Sequence, residues 1–351
     1  MRRRLARLLL PALACALAAA PGQAGGGDPL LGRQYALTQL HAPAAWQRAQ
    51  GQGVVVAVID TGVDRRHPDL RGRLTRGATF LGCGATPCGD GDWRSGPRER
   101  RGDAFGHGTH VAGAVVAGRG NGTGIVGVAP LAKVMPVKIG DRGELDYADV
   151  VRGIRWAVDQ GADVLNLSLS LDPTATEITD AVGYAVSHGV VVVAAAGNAS
   201  HPICAAPGSV PEVVCVTATD RSEAPAAYTS AGTKVGLRSV AAPGGAGVPT
   251  AAAAVPYPDC TERILSTWPV GDAGVGRCPG EGGYRYLSGT SLASPHVAGV
   301  VALLLSQGRS PGNAVDVLLA TARTPGVGSG VWTPHYGWGI ADAAAAVAAP
   351  R

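Results

Sequence analysis

A chain of 351 residues with 30 basic and 26 acidic side chains carries a formal charge of +4. Four of its arginines and none of its acids lie in residues 1–24, so removal of that segment brings the charge from +4 to 0. The basic balance therefore gives no ground for a nucleic-acid partner.

In chain order, residues 1–7 are basic, 8–20 apolar, and Pro21-Gly22-Gln23-Ala24 small, the three regions of a secretory signal. The apolar stretch is too short to span a bilayer, and nothing else in the chain resembles a transmembrane helix. A secreted or periplasmic protein is expected. Ala12-Leu13-Ala14 before Cys15 is a poor lipoprotein signal, so ordinary cleavage is expected rather than acylation. The other six cysteines fall as near neighbours, Cys83 with Cys88, Cys204 with Cys215 and Cys260 with Cys278. Three local disulfides are the simplest of fifteen connectivities, and the spacings match no zinc pattern.

The run Val54-Val55-Val56-Ala57-Val58-Ile59 predicts a buried parallel strand with Asp60 at its C-terminal end, the edge where α/β sheets bind ligands. His107, between Gly106 and Gly108, opens a small-residue stretch that reads as a buried helix. Residues 134–139, 164–170, 190–196 and 213–218 read as further strands, and 149–160 and 178–188 as surface helices. The expected fold is α/β: a doubly wound, mostly parallel sheet with helices on both faces, forming three layers. The strand at 190–196 runs into Gly197-Asn198, whose amide could complete an oxyanion hole.

Gly289-Thr290-Ser291 then opens an apolar helix running to about Ser306, placing a hydroxyl among unpaired backbone N–H groups. Serine is a poor nucleophile without an imidazole and a carboxylate, and His107 and Asp60 supply them. The order Asp, His, Ser excludes an α/β-hydrolase, whose serine precedes its acid and histidine; only His335 and Asp342 follow Ser291. His110 and His296, about one helical turn from their catalytic neighbours, read as packed helix residues.

These motifs, with Asp28-Pro29, Arg33-Gln34-Tyr35 and Ala42-Pro43-Ala44-Ala45-Trp46, resemble the subtilase family of subtilisin-like serine proteases, and its thermitase-like branch, over about residues 28–345. The resemblance implies an exported serine endopeptidase with Asp60, His107 and Ser291 as its triad and Asn198 in the oxyanion hole. It implies that Ser168, Leu169 and Ser170 pair with an extended substrate and, with Ala196 and Gly197, form the first specificity pocket. Ser170 stands where glycine is usual. Residues 194–199 hold no acid, so cleavage after apolar or uncharged residues is expected.

On the substrate's other edge the resemblance places Gly143, Glu144 and Leu145, with Tyr147 and Val150 at a more distant apolar pocket. Asp146 and Asp149 beside Glu144 read as a solvated acidic loop. Asp28, Asp69, Asn121, Thr123 and Ile125 match the family's calcium ligands, hard oxygen donors that suit Ca²⁺ as a structural ion. Leu292 stands where many subtilases carry methionine, so activity should survive peroxide.

The expected organisation is a signal over residues 1–24 and one peptidase domain over 25–351, with insertions near 83–101 and 244–283 that either restrict substrates or are surface padding. Only residues 25–27 separate the signal from the Asp28 match, which leaves no room for a propeptide; folding unaided or by a separate helper protein is expected. Polypeptide substrates and a monomer are expected. An idle binding protein on the same scaffold and a processing protease with one partner are the alternatives.

Overall fold

Period-two burial along one strand organises the molecule. In Val55–Asp60 (β1), Val56 and Val58 face one core cluster while Ala57 and Ile59 face another. Side chains that alternate in direction but are apolar throughout require a sheet covered on both faces. The computed structural model describes residues 27–96, 106–141, 144–171, 176–236, 238–247, 259–272, 278 and 281–351. The expected signal, Cys15 and parts of both expected insertions lie outside the described residues.

Short helices α1 (Tyr35–Gln39) and α2 (Ala42–Ala45) precede β1, and β2 (Ala78–Thr79), α3 (His107–Val116) and β3 (Lys133–Lys138) follow it. A two-stranded ribbon, β4 (Gly140–Asp141) with β5 (Glu144–Leu145), leads to α4 (Tyr147–Asp159). Then come β6 (Val164–Leu167), α5 (Thr176–Ser187), β7 (Val191–Ala195), β8 (Val214–Thr219) and β9 (Ser239–Pro243). After an antiparallel pair, β10 (Ile264–Thr267) with β11 (Tyr284–Leu287), stand α6 (Thr290–Leu305), α7 (Pro311–Thr321), a small ribbon β12 (Arg323–Thr324) with β13 (Gly328–Ser329), and α8 (Ala343–Ala348).

Seven strands pair in the order β2-β3-β1-β6-β7-β8-β9, every pairing parallel. The order reverses around β1, which puts Asp60 at the switch point where such sheets open a crevice. Helices α3, α6, α7 and α8 cover one face through Val111, Val115, Val297, Val300, Leu318 and Val347. Helices α4 and α5 cover the other through Val150, Ile154, Ile178 and Val182. The expected three-layer α/β architecture is the one observed.

Helix α6 is apolar on all sides because it is buried on all sides: it packs on β6, β7, β8, β9 and α3. The three cysteine pairs are disulfides. The strand expected over 164–170 ends at Leu167, and the chain turns away so that Leu171 bridges to Ala206. Within the excursion 244–283, β10 is buried and packs on α3, so part of that segment is core rather than surface loop. The 83–96 part of the other insertion returns to β1's end, where Val63 N–H donates to the Gly91 carbonyl and Trp93 N–H to the Val63 carbonyl.

Candidate active site

Ser291 occupies the second position of α6, and the local backbone depends on a residue without a side chain. Gly289 holds φ +152°, and a Cβ there would lie 3.0 Å from Ser291 Oγ and 3.5 Å from Asn198 Nδ2. The serine hydroxyl and the amide therefore flank one point. The amide is locked, since Asn198 Oδ1 accepts from both the N–H and the hydroxyl of Thr290 at 2.9 Å. Its Nδ2 is the donor left for the Ser291 side.

Pro295 sits inside α6 and lacks the N–H that would otherwise bond the Ser291 carbonyl four residues earlier. Ser168 Oγ donates to that carbonyl instead, at 2.7 Å. Ser168 in turn accepts from Asn166 Nδ2 at 2.8 Å, and Ser294 Oγ donates to Asn166 Oδ1 at 2.9 Å. All three side chains are buried, so this polar network is internally satisfied and fixes the nucleophile's backbone. The roles of Asn166, Ser294 and Thr290 do not show in the sequence, because they exist only where β6 and the end of β7 lie beside α6.

Asp60 and His107 meet as expected. His107 Nδ1 lies 2.9 Å from both Asp60 oxygens, and Thr61 N–H donates to Asp60 Oδ1 at 2.7 Å. Helix α3 can approach this closely because residue 108 is glycine: a Cβ there would lie 2.4 Å from the Gly62 carbonyl oxygen. With Nδ1–H donated to the carboxylate, the neutral ring carries its lone pair on Nε2. Burial would lower the His107 pKa, and the adjacent Asp60 carboxylate outweighs it and holds the value above the ordinary one. His110 and His296 differ: burial pushes them down to about 3 and about 4, and their ring nitrogens bond the carbonyls of Ile264, Arg285 and Pro243.

Two cavities meet at Ser170. One of about 250 Å³ is lined by Asp60, His107, Leu145, Ser168, Leu169 and Ser170 among others. The second, about 490 Å³ and mostly apolar, runs past Gly197, Asn198 and Ala199 to Ile203, Cys204 and Ser209. Ser170 Oγ would stand 3.5 Å from a Cβ on Gly197, so the serine at the usual glycine position narrows the mouth between the two walls. Ala196, expected to face substrate, is instead fully buried against Cys204 and Cys215, because the strand's alternation turns it inward. Val150 is also fully buried, and Tyr147, partly exposed at the start of α4, packs against the same core cluster. Glu144 lies in β5, while Gly143 is outside the described residues. Asp146 is exposed and caps α4 through Ala148 N–H, whereas Asp149, expected in a solvated loop, is buried and pairs with Arg152.

The expected calcium residues also converge. Asp28 accepts from the N–H groups of Gly120 and Asn121, at 2.8 and 3.1 Å. Asp69 accepts from Asn121 Nδ2, Ile125 N–H and Tyr284 OH, at 2.7, 2.8 and 3.2 Å. Both carboxylates are buried, and neither forms an ion pair among the described residues. Thr123 and Ile125 contribute backbone from the same loop. Two buried carboxylates are hard donors of the kind Ca²⁺ takes, although here N–H groups meet them and the Asn121 amide would have to turn its oxygen inward to join a cation's ligands. Among the described residues no group of three His, Cys, Asp or Glu side chains is placed to hold a metal ion.

A family model described as the subtilase family matches residues 51–339. The chain belongs to the subtilase family. It is 37% identical to thermitase from Thermoactinomyces vulgaris over 291 residues, covering 83% of this chain and 88% of that one. It is 35% identical to a protein named extracellular protease from Xanthomonas campestris pv. campestris, covering 92% of this chain and 56% of that one. Among solved structures, a protease from Pseudoalteromonas arctica superposes with a TM-score of 0.77 at 33% identity, covering 92% of this subtilase and 99% of that chain. This subtilase is thus a serine endopeptidase, a hydrolase acting on polypeptides, and its match to thermitase supports a thermitase-like placement.

Proposed function

We propose that this subtilase is an exported endopeptidase that cleaves polypeptides through an acyl-enzyme formed on Ser291. The observation that carries the reading is the pair of fixed groups around that serine: an imidazole anchored to both oxygens of Asp60 and an amide locked by Thr290. In the reaction Ser291 Oγ attacks the peptide carbonyl as His107 takes its proton. Asp60 holds the ring's tautomer and stabilises the imidazolium that forms. Asn198 Nδ2 and the Ser291 N–H receive the oxyanion; His107 then returns the proton to the leaving amine, and water releases the acyl group by the same steps in reverse order.

The substrate backbone lies along Ser168, Leu169 and Ser170, with Glu144 and Leu145 on its other edge. The side chain before the cut enters the 490 Å³ cavity past Gly197. Its lining of Leu171, Ala199, Pro202, Ile203 and Ala205 carries no acid, which favours apolar or uncharged residues. Tyr147 and Leu169 frame the more distant pocket. A peptide library read by mass spectrometry tests the assignment: apolar residues should dominate before the cut, and a dominance of Arg or Lys would overturn it.

Export is supported by the signal pattern of residues 1–24, by three disulfides, and by similarity to a protein named extracellular protease. No helix among the described residues is long and apolar enough to cross a membrane. Residues 25–351 are read as one peptidase domain acting as a monomer. Calcium would be held by the Asp28 and Asp69 carboxylates, Asn121 Oδ1 and the carbonyls of Thr123 and Ile125. There it supplies charge neutralisation and ties the N-terminal arm to the body, away from the bond-breaking steps.

A further inference from the structure

Lys234 takes no part in the chemistry above, yet its ammonium is held by three backbone carbonyls. Half-buried, it donates to the carbonyls of Gly208 at 2.7 Å, Val213 at 2.6 Å and Val210. Three carbonyl oxygens of one turn thus surround one cation. Within the turn the backbone bonds are short-range, Ser209 to Ala205, Val210 to Pro207 and Val213 to Val210, while the Cys204–Cys215 disulfide closes the segment and Val210 and Val213 pack into the core. Glu212 and Arg238 are the charged groups that act on the ammonium, the first favouring its charge and the second opposing it.

A residue near each end of this clamp lines the 490 Å³ cavity. Ser209 comes from the turn and Ser230 from the segment that carries Lys234. Cys204, also in the lining, donates its N–H to the Thr233 carbonyl at 3.1 Å, next to the lysine. A shift of the turn therefore moves the cavity wall.

We infer that Lys234 is a positioning residue for substrate selection, a cation built into the chain that holds the 204–213 wall at the spacing an apolar side chain requires. The inference rests on the reading of this cavity as the pocket for the residue before the cut. An ammonium offers three N–H donors and a charge; a neutral amine offers two donors and no charge, so the cradle weakens when the proton leaves. Burial, reinforced by Arg238, pulls the Lys234 pKa down to about 7, which brings that loss into the working range. Lys234 does not contact Ser291 or His107 in this arrangement, so the effect should fall on KM rather than kcat.

The test compares the full chain with Lys234→Met, Lys234→Arg and Ser209→Phe on peptides with a large apolar or a small residue before the cut. Lys234→Met should raise KM for the large residue by roughly tenfold, the scale of one lost charge-assisted hydrogen bond, with kcat nearly unchanged. Wild-type KM should rise on the alkaline side of about pH 7, and Lys234→Arg, whose guanidinium keeps its charge, should abolish that rise. Ammonium chloride should lower the KM of Lys234→Ala more than an equal concentration of sodium chloride does. If Ser209→Phe changes selectivity while Lys234→Met keeps wild-type KM and pH dependence, the lysine is only filler and the inference falls. If Ser209→Phe leaves selectivity unchanged, the pocket assignment fails and takes the inference with it. Should Lys234→Met not fold, an alkaline KM rise persisting in Lys234→Arg is the overturning result.

Discussion

Two loops without secondary structure of their own are fixed by inverse electrostatics. The loop at 118–125 gathers two buried carboxylates, Asp28 and Asp69, around its N–H groups and amide. The turn at 208–213 gathers three of its own carbonyls around the ammonium of Lys234. The first leaves negative charge that a cation from solution would neutralise, and the second carries its cation in the sequence. The first follows the far end of α3, about 15 Å along the helix from His107 by the rise of ten residues. The second forms part of a cavity wall. The contrast assigns stability and ion dependence to one loop, and selectivity and pH dependence to the other.

The reference for both is a variant in neither loop. Asn198→Ala should lower kcat by roughly 10²–10³-fold, a scale drawn from subtilisin's own oxyanion donor, with a lower melting temperature as well, because two Thr290 donors lose their acceptor. A fall in melting temperature with kcat unchanged would mean that the amide is structural only.

Chelation comes next in size and acts on the other axis. If calcium saturates the site at about a thousand times its Kd, its removal costs roughly 4 kcal/mol of stability. Calorimetry with and without chelator should show that loss, Asp69→Asn should remove the sensitivity, and the preference between large and small residues before the cut should not change. An unchanged melting temperature in chelator contradicts the calcium reading. Lys234→Met should show the same chelator sensitivity as wild type, because distant sites without shared partners add.

Acid acts through a third group. His107 must be neutral to accept a proton, and Asp60 holds its pKa above the ordinary value, so kcat should fall as pH drops through a midpoint above 6.5. The same raised value means that protonated His107 stabilises the fold below its unfolded pKa, and that this contribution is lost as pH rises through the folded one. Activity therefore falls in acid without unfolding caused by this group, whereas the Lys234 effect appears in KM on the alkaline side. A midpoint below 6.5 would show that Asp60 does not govern the imidazole. The smallest effect should come from peroxide: Leu292 cannot form a sulfoxide, so activity should persist, and rapid inactivation would point to another oxidisable group.

The proposed catalytic residues were legible because each stands at a boundary that sequence marks strongly. Asp60 ends a β-branched run, Asn198 follows another, and His107 and Ser291 open small-residue helices behind glycines. The supporting residues were not, because their roles exist only across elements. Ser168 was expected only along a substrate strand; its hydroxyl's further role shows only once Pro295, 127 residues later, leaves the Ser291 carbonyl for it to fill. Ala196 and Val150 sat in the right segments with side chains on the inner face, a one-residue distinction that alternation and helix phase decide. Strand β10 was hidden in a stretch rich in Pro, Gly and Ala, since its partner β11 lies beyond the excursion. Lys234, in Gly232-Thr233-Lys234-Val235, looks in sequence like any surface lysine, and only the fold brings three carbonyls to it.

The central claim is an activated nucleophile at Ser291. The exported chain, kept in calcium, should be reacted with a fluorophosphonate, digested, and mapped by mass spectrometry beside Ser291→Ala and His107→Ala. One adduct is expected on the peptide carrying Ser291, absent in Ser291→Ala and formed far more slowly in His107→Ala. A folded wild-type chain without that adduct, or an adduct that persists in Ser291→Ala, would contradict it.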